Sequence, residues 1–435
     1  PDFATALLNG REMVSTGDNR SVEFDQYPSE LLSGVTVYKT PDASLVGQGL
    51  SGTLDMQTIR PLNFGSRVVA LNARVQNNSL GSAGNASANG NRFSVSYVDQ
   101  FANRTLGVVL GYAHLQTPVQ EEQVGFYEPW QAIGDNWRPG VAAGTFYTDG
   151  VKALRRTGKT TRDGLMATLE YRPSKDWTSV LDIYHTEAKQ TDTANQLEVH
   201  IGDYNGNYGR LDVTGAQVNG NNTFIGGTAN NVYPLVRGMY NQRKDTIDAI
   251  GLNNKFRLAG VSWTADINYS KAKRDELNLE NNTQLAPAPQ LDSLQLQIRS
   301  GGFSMLTPGL DYSDPTKLFL RGTIYGSGYG KVPSVEDELA GFKLAGTMPA
   351  PAMLGGLFSD IDFGLNYADR SKKKRQPEGN INVGAQGDTT IASDLQYGLV
   401  DLGFAGAGMI PAWNVPAAVA RYLRKVRQAL CEDWE

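Results

Sequence analysis

Cysteine and histidine are scarce in this chain of 435 residues. The single cysteine, Cys431, excludes a disulfide framework within the chain and any zinc site built from several thiolates. The three histidines, His114, His185 and His200, are scattered, which argues against a His-rich metal cluster. No stretch reaches about 18 consecutive apolar residues, so no transmembrane helix is predicted. There is no basic excess: the net charge is −5, which argues against a dedicated nucleic-acid binder. Nor is a secretory leader expected among these residues. The chain opens on Pro1 rather than Met, and its true start is expected upstream or processed away. Hydrophobic residues make up 40%, slightly low for a globular protein, and the mean hydropathy is −0.36. Membrane barrels remain compatible with such averages, because their strands carry an apolar residue only at every second position.

Alternation is what the sequence has in quantity. In "GVSWTADINYS" (260–270), Val261, Trp263, Ala265, Ile267 and Tyr269 fall on one side, and Ser262, Thr264, Asp266, Asn268 and Ser270 on the other. Side chains of a strand point to opposite faces with period two, so this is a strand with one apolar and one polar face. The pattern recurs at Phe93, Val95, Tyr97; at Leu106, Val108, Leu110, Tyr112; at Leu165, Ala167, Leu169, Tyr171; and at Ile361, Phe363, Leu365, Tyr367. Weaker cases are 67–75, 179–185, 247–256 and 338–346. Nine strands are predicted in all, each able to extend to about ten residues, enough to cross a bilayer when tilted. Tyr tends to close a strand, as in an aromatic girdle.

Short and long connections alternate. Short ones are "ANR", "RPSKD" and "RLAG", with a moderate "TMPAPAMLGG"; long ones run through 77–91, 116–161, 190–245 and 273–336, with an open-ended stretch after 371. Compact domains avoid long structureless loops, whereas outer-membrane barrels combine short turns on one side with long loops on the other. Basic runs at 152–162, 241–245, 271–274 and 370–375 are expected at the long-loop ends, where anionic lipid phosphates would lie. Taken singly, each run also reads as a solvated rim. The first sixty residues differ. Strands are expected at "GVTVYK" and "GTLDMQT", and a helical turn at "SELL". This reads as a small α/β unit.

"LNGREM" (8–13), Arg20 to Leu31, "VTVYKTPDASLVGQGLSGTLDMQT" (35–58) and "RP" (60–61) resemble the plug of TonB-dependent outer-membrane receptors. The subgroup most similar is common in Caulobacter- and Xanthomonas-like bacteria and often linked to carbohydrate uptake. "GLNNKF" (251–256), "DINYSKAKRD" (266–275) and "GLNYADRSKKK" (364–374) add to the likeness. The resemblance implies a plug over 1–62 and an antiparallel transmembrane β-barrel over 63–435 in a Gram-negative outer membrane. The expected partners are a TonB-type inner-membrane energising complex, outer-membrane lipid and lipopolysaccharide, and a small-molecule or oligosaccharide ligand. Wide barrels of about 22 strands need such a filler. Arg11, Arg20, Glu30 and Arg60 would be plug charges meeting charged groups of the lumen. Lipid is expected against Trp263 and Ile267, and lumen water or plug against Asp266 and Asn268. Nine strands are fewer than half of such a barrel, and 415–435 reads as an amphipathic helix or an off-family tail. The chain is therefore expected to be a fragment truncated at both ends, and the function that of the intact protein. An open half-barrel would leave two unpaired edges.

Other motifs carry less. "GKTT" (158–161) lacks the glycine a phosphate loop needs, since Ala153 stands there. "DYNGNYG" (203–209) has a calcium-loop alternation, but its glycine falls one residue late. Ser327 in "GSGYG" lacks the spacing of a nucleophile elbow. Glu121/Glu122 and Glu336/Asp337/Glu338 read as solvated loop faces. No enzyme chemistry, cofactor or metal is expected. In the loop 123–140, Phe126, Tyr127, Trp130 and Trp137 stand beside Arg138. Aromatic faces stack on sugar rings, so these residues are candidates for binding a carbohydrate, with Tyr204 and Tyr208 as weaker ones. The competing reading is that they pack the loop against itself. The expected function is energised uptake of a scarce solute, a carbohydrate oligomer or, alternatively, a ferric siderophore. Rivals from other classes are a soluble carbohydrate-binding β-sandwich and a passive porin.

Overall fold

The computed structural model describes residues 4–18, 27, 29, 32–40, 42–46, 49, 51–135, 137–202, 211–286, 290–323, 326–353 and 356–423. Arg20, Glu30, Tyr204, Tyr208, the calcium-like loop and Cys431 lie outside them, as does Leu31, so the helical turn expected at "SELL" falls largely outside the described residues and its last residue, Leu32, is strand.

The alternating segments form one antiparallel meander. Small-unit strands are β1 (Ala4–Leu8), β2 (Arg11–Glu12), β3 (Leu32–Tyr38) and β4 (Gly52–Thr58). The meander comprises β5 (Val68–Asn77), β6 (Asn89–Phe101), β7 (Leu106–Phe126), β8 (Gly150–Ser174), β9 (Trp177–His200), β10 (Leu235–Leu258), β11 (Val261–Leu285), β12 (Ser334–Pro349) and β13 (Asp360–Arg375). Each pairs with the next in chain order. The turns favour this arrangement: Ala259 and Gly260 both have positive φ (54° and 75°), as a tight two-residue hairpin turn demands. Among the described residues β5 and β13 do not pair with each other, so the sheet is open and both edges are exposed.

Two expectations need correction. Strands β8 to β11 run to 24 or 25 residues, not about ten, so the flanks of the expected long links (150–161, 190–200, 235–245 and 273–285) are strand. The basic runs at 152–162, 241–245 and 271–274 consequently lie inside strands rather than at their ends. Period two then sends alternate members to opposite faces: Arg156, Arg274, Arg370 and Lys372 find acidic partners on the face toward the small unit, while Arg155, Lys244, Lys271 and Lys273 find theirs on the other.

β1–β4 form a separate mixed sheet in the order β2-β1-β4-β3, with β1 parallel to β4. β3 and β4 are the two strands expected there. The β1–β2 hairpin turns on Asn9 and Gly10, both at positive φ. Ala6, Leu8, Met13 and Met56 pack against Met166, Tyr184, Ile247 and Leu339 of the meander. The face that receives them is called inner.

The outer face changes along the strands. Hydrogen-bonding register sets Val108, Leu169, Leu181, Leu252, Ile267, Phe342 and Tyr367 in one row across seven strands. Toward the short turns, Trp177, Phe256, Trp263 and Phe363 form an aromatic row; Phe363 reaches over Gly346 to meet Trp263 edge-on at 5.5 Å. Ile267 is 52% exposed, and among the described residues no sheet covers this belt. Beyond it come ion pairs, and beyond those a covered core. There, strands 212–218, 224–232, 292–297 and 305–308, a hairpin (396–401 with 409–413) and α1 (Val415–Tyr422) bury Leu197, Val236, Leu279 and Trp413. Asn414 caps α1 by accepting from Ala417 N–H. Of the expected 415–435 helix, only this part lies within the described residues. No helix among the described residues is long and apolar enough to cross a membrane, which does not bear on strands.

Candidate functional site

The inner face is where charge is concentrated. Asp182 of β9 and Asp266 of β11 project inward because they take the polar parity of their strands. Arg11 of β2 reaches both: Nη1 donates to Asp182 Oδ2 at 2.9 Å, while Nε and Nη2 donate to Asp266 at 3.0 and 2.9 Å. Arg60 donates to the other Asp182 oxygen at 2.6 Å. Asn253 and Asn268 donate to Asp266, fixing its carboxylate. The guanidinium of Arg11 lies flat on Gly251, where a Cβ would come within 2.6 Å of Nε. Gly107 serves the same purpose lower down, since a Cβ there would meet Pro61 at 2.8 Å. Leu62 N–H donates to Glu170 beside that contact.

A second tier sits further along the strands. Asp337, fully buried, accepts from Ser15 N–H at 3.0 Å and from Arg370 at 2.6 and 2.9 Å, while Arg370 also reaches Glu12. Asp245 holds Arg274, which donates on to Thr16. Glu336, Asp337 and Glu338 are thus strand residues, not a solvated loop. The outer two bind Lys271 and the inner one is buried, which is what alternation requires. Glu121 and Glu122 are strand residues too, bound to Arg156 and Arg155.

Above this tier a cavity of about 320 Å³ opens between the small unit and the meander, lined by Asp18, Asn241, Arg274, Asn278, Glu280 and Lys331 among others. The inner wall continues upward as Arg156–Asp192–Asn241 and then Glu198–Arg237–Glu280. Burial works against the Glu198 carboxylate, but His200 at 3.2 Å and the Arg237 charge outweigh it and hold the group down at about 2.

Most of the loop aromatics are used internally. Tyr127 stacks on His200 at 5.2 Å with Lys152 over its ring, and Phe126 packs on Trp130 at 5.7 Å. Arg138 is only 4% exposed, donating to Trp137 O and lying over Tyr147. Trp137 is the member that faces solvent, 45% exposed. Phe126, Tyr127 and Trp130 pack the loop and its wall, while the Trp137 ring, though exposed, carries the Arg138 guanidinium over it at 5.4 Å. The inner carboxylates Asp182 and Asp245 are not among the sequence candidates, and Asp337 is read there as part of a solvated loop face, although strand parity is a readable signal for all three. Among the described residues no group of three or more His, Cys, Asp or Glu could hold a metal ion. "GKTT" lies in mid-β8, an extended strand that cannot cradle phosphate.

No family model matches the chain, and no curated protein matches it. Among solved structures it is similar to the FrpB iron transporter of Neisseria meningitidis. For the F5-1 variant in apoprotein form the identity is 9% and the TM-score 0.23, over 86% of this chain and 70% of that one. For the F3-3 variant the identity is 8% and the TM-score 0.21, over 88% and 75%. At these scores the likeness bears on neither fold nor function.

Proposed function

We propose that the chain is the plug and part of the barrel of a TonB-dependent outer-membrane receptor. Such a receptor binds a scarce solute outside, and an inner-membrane complex supplies the energy that moves the plug. The observation that carries this reading is the opposition of the two faces of the meander. One face presents an uncovered apolar belt edged by aromatics; the other is filled by a small sheet held through Arg11 and Arg60. A soluble sandwich would cover the belt with a second sheet, and a passive porin would need no insert. An apolar outer band between aromatic rows is what lipid demands of strands. Outer-membrane lipid and lipopolysaccharide meet the belt and the ion pairs beyond it. The solute is a carbohydrate oligomer, for which Trp137 offers an exposed indole with Arg138 beside it and the cavity above the small unit offers amides and charges.

Spin labels at 263 and 266 of the complete gene product in outer-membrane vesicles test the reading. Oxygen-rich exposure at 263 with shielding or polar-reagent access at 266 is expected. Water-like or buried signals at 263 would return the chain to the soluble class.

A further inference from the structure

We infer that the solute is an acidic oligosaccharide, whose carboxylate or sulfate groups seat on arginines of the inner face around Arg74 and Arg92. The inference rests on the function proposed above and adds the charge of the solute. Hydrogen-bonding register sets Arg74, Arg92, Arg162, Arg274 and Lys374 in one row from β5 to β13, and Asp245 is the one acid among the described residues of that row. Strand parity turns the whole row inward. The inner rows on either side are balanced: Arg243 faces Glu276 in one, and Lys372 faces Asp337 in the other.

The imbalance is greatest on β5 to β7. Arg74 and Arg92 lie directly opposite each other, and like charges so placed destabilise a sheet unless an anion joins them. No inward residue of β5, of β6 or of β7 as far as Val119 is acidic, and the next inward acid, Glu121, is taken by Arg156 at 2.8 Å. The cations further along are already engaged. Arg92 and Arg162 have partners, Asp245 holds Arg274, and Asp18 of the small unit holds Lys374 at 2.7 Å. Arg74 differs: it is exposed and has no acidic partner among the described residues. The seat is therefore centred on Arg74, with Arg92 beside it. Two guanidiniums on facing strands match the paired oxygens of a carboxylate or sulfate. Asn72 and Ser94, the next inward pair, offer an amide and a hydroxyl to the sugar. The far end of the row, Arg274 and Lys374, lines the cavity above the small unit, which gives a charged oligomer a second foothold.

The test measures binding of two oligomers of equal length, an oligogalacturonate and a neutral gluco-oligosaccharide, to the complete gene product in detergent. The wild type should prefer the acidic oligomer, and the preference should shrink as salt is raised. Arg74→Gln/Arg92→Gln should weaken the acidic oligomer on the order of tenfold or more, the scale of a charge-assisted hydrogen bond, and leave the neutral one unchanged. Arg74→Glu, at an exposed position, should do the same without disturbing the fold. Lys189→Gln, an exposed cation of the outer face, should alter neither. Equal binding of the two oligomers, unmoved by the arginine variants, overturns the acidic class and leaves carbohydrate uptake standing. Binding of neither overturns the carbohydrate reading beneath it.

Discussion

The two faces of β11 carry the same chemistry in different media. On the outer face Lys271 bridges Glu336 and Glu338 at 2.5 and 2.6 Å. On the inner face Asp266 binds Arg11 at 2.9 Å. Distance does not separate them, but surroundings do. The side chains of the outer trio are 37–42% exposed, whereas those of Asp266 and Arg11 are about one tenth exposed. An exposed pair exchanges protein partners for water at little cost, while a buried charge that loses its partner has nothing to replace it. The difference explains how one strand can be anchored to a withdrawable insert on one side and merely be compatible with its surroundings on the other.

The comparison breaks most visibly at Asp266. Asp266→Ala strands the Nε and Nη2 donors of Arg11, and loss of one partner of a buried pair costs about 3–5 kcal/mol. The loss should appear as weakened hydrogen-exchange protection of β1 and β2, with the outer strand ends unaffected. A change within error in that protection would mean that the small sheet is held by its apolar contacts alone. Gly251→Ala should loosen the same amides to a smaller extent, about 1–3 kcal/mol, since its methyl displaces the guanidinium without removing either carboxylate.

Glu198 sharpens the comparison along the strand rather than across it. It lies on the inner wall well beyond the apolar belt, and its folded carboxyl is held at about 2 against an ordinary 4.5. A depressed carboxyl stabilises the fold when ionised. The contribution is therefore fully present above about pH 4.5 and is lost as pH falls through about 2. Glu198→Gln should lower stability at neutral pH, and the gap to wild type in acid-denaturation curves should close across that window. A gap that stays constant with pH would show that packing, not charge, is what the substitution removes.

Much of the fold is legible in the sequence because period two survives wherever one face is apolar. The order of all nine meander strands follows from that, as do β3 and β4. The pattern fades beyond the belt, where both faces turn polar around Lys159, Gln190 and Gln242, and so strand length is not readable there. The β1–β2 hairpin is too short to show a period. The covered outer core is hidden for another reason: Leu197, Val236 and Trp413 come from separate segments brought together only by tertiary packing. The inner charges Arg11 and Arg60 are legible as candidates, and parity alone turns Asp266 toward the plug, whereas Asp182 and the pairing of both carboxylates with Arg11 emerge only with the structure. The loop aromatics show the limit of composition: Tyr127 and Trp137 are the same kind of residue in one loop, but one is packed on His200 and the other faces out.

The smallest effect is expected on the outer face, and its smallness is the point. Lys271→Ala removes a cation that touches two carboxylates, more contacts than many stabilising pairs can claim. Yet all three groups stand in contact with the medium, and Glu336 and Glu338 recover their solvation when the ammonium leaves. Exposed pairs of this kind contribute little, so protection of β11 and β12 and the unfolding midpoint should stay within error of wild type. Raising the salt concentration should leave the variant and the wild type equally unaffected, because the pair carries little energy to screen. A loss comparable with that of Asp266→Ala would show that the medium around Lys271 is dry. The ion-pair band would then belong inside the apolar layer rather than at its edge, and the position of the belt along β11 would have to shift toward the long-loop end.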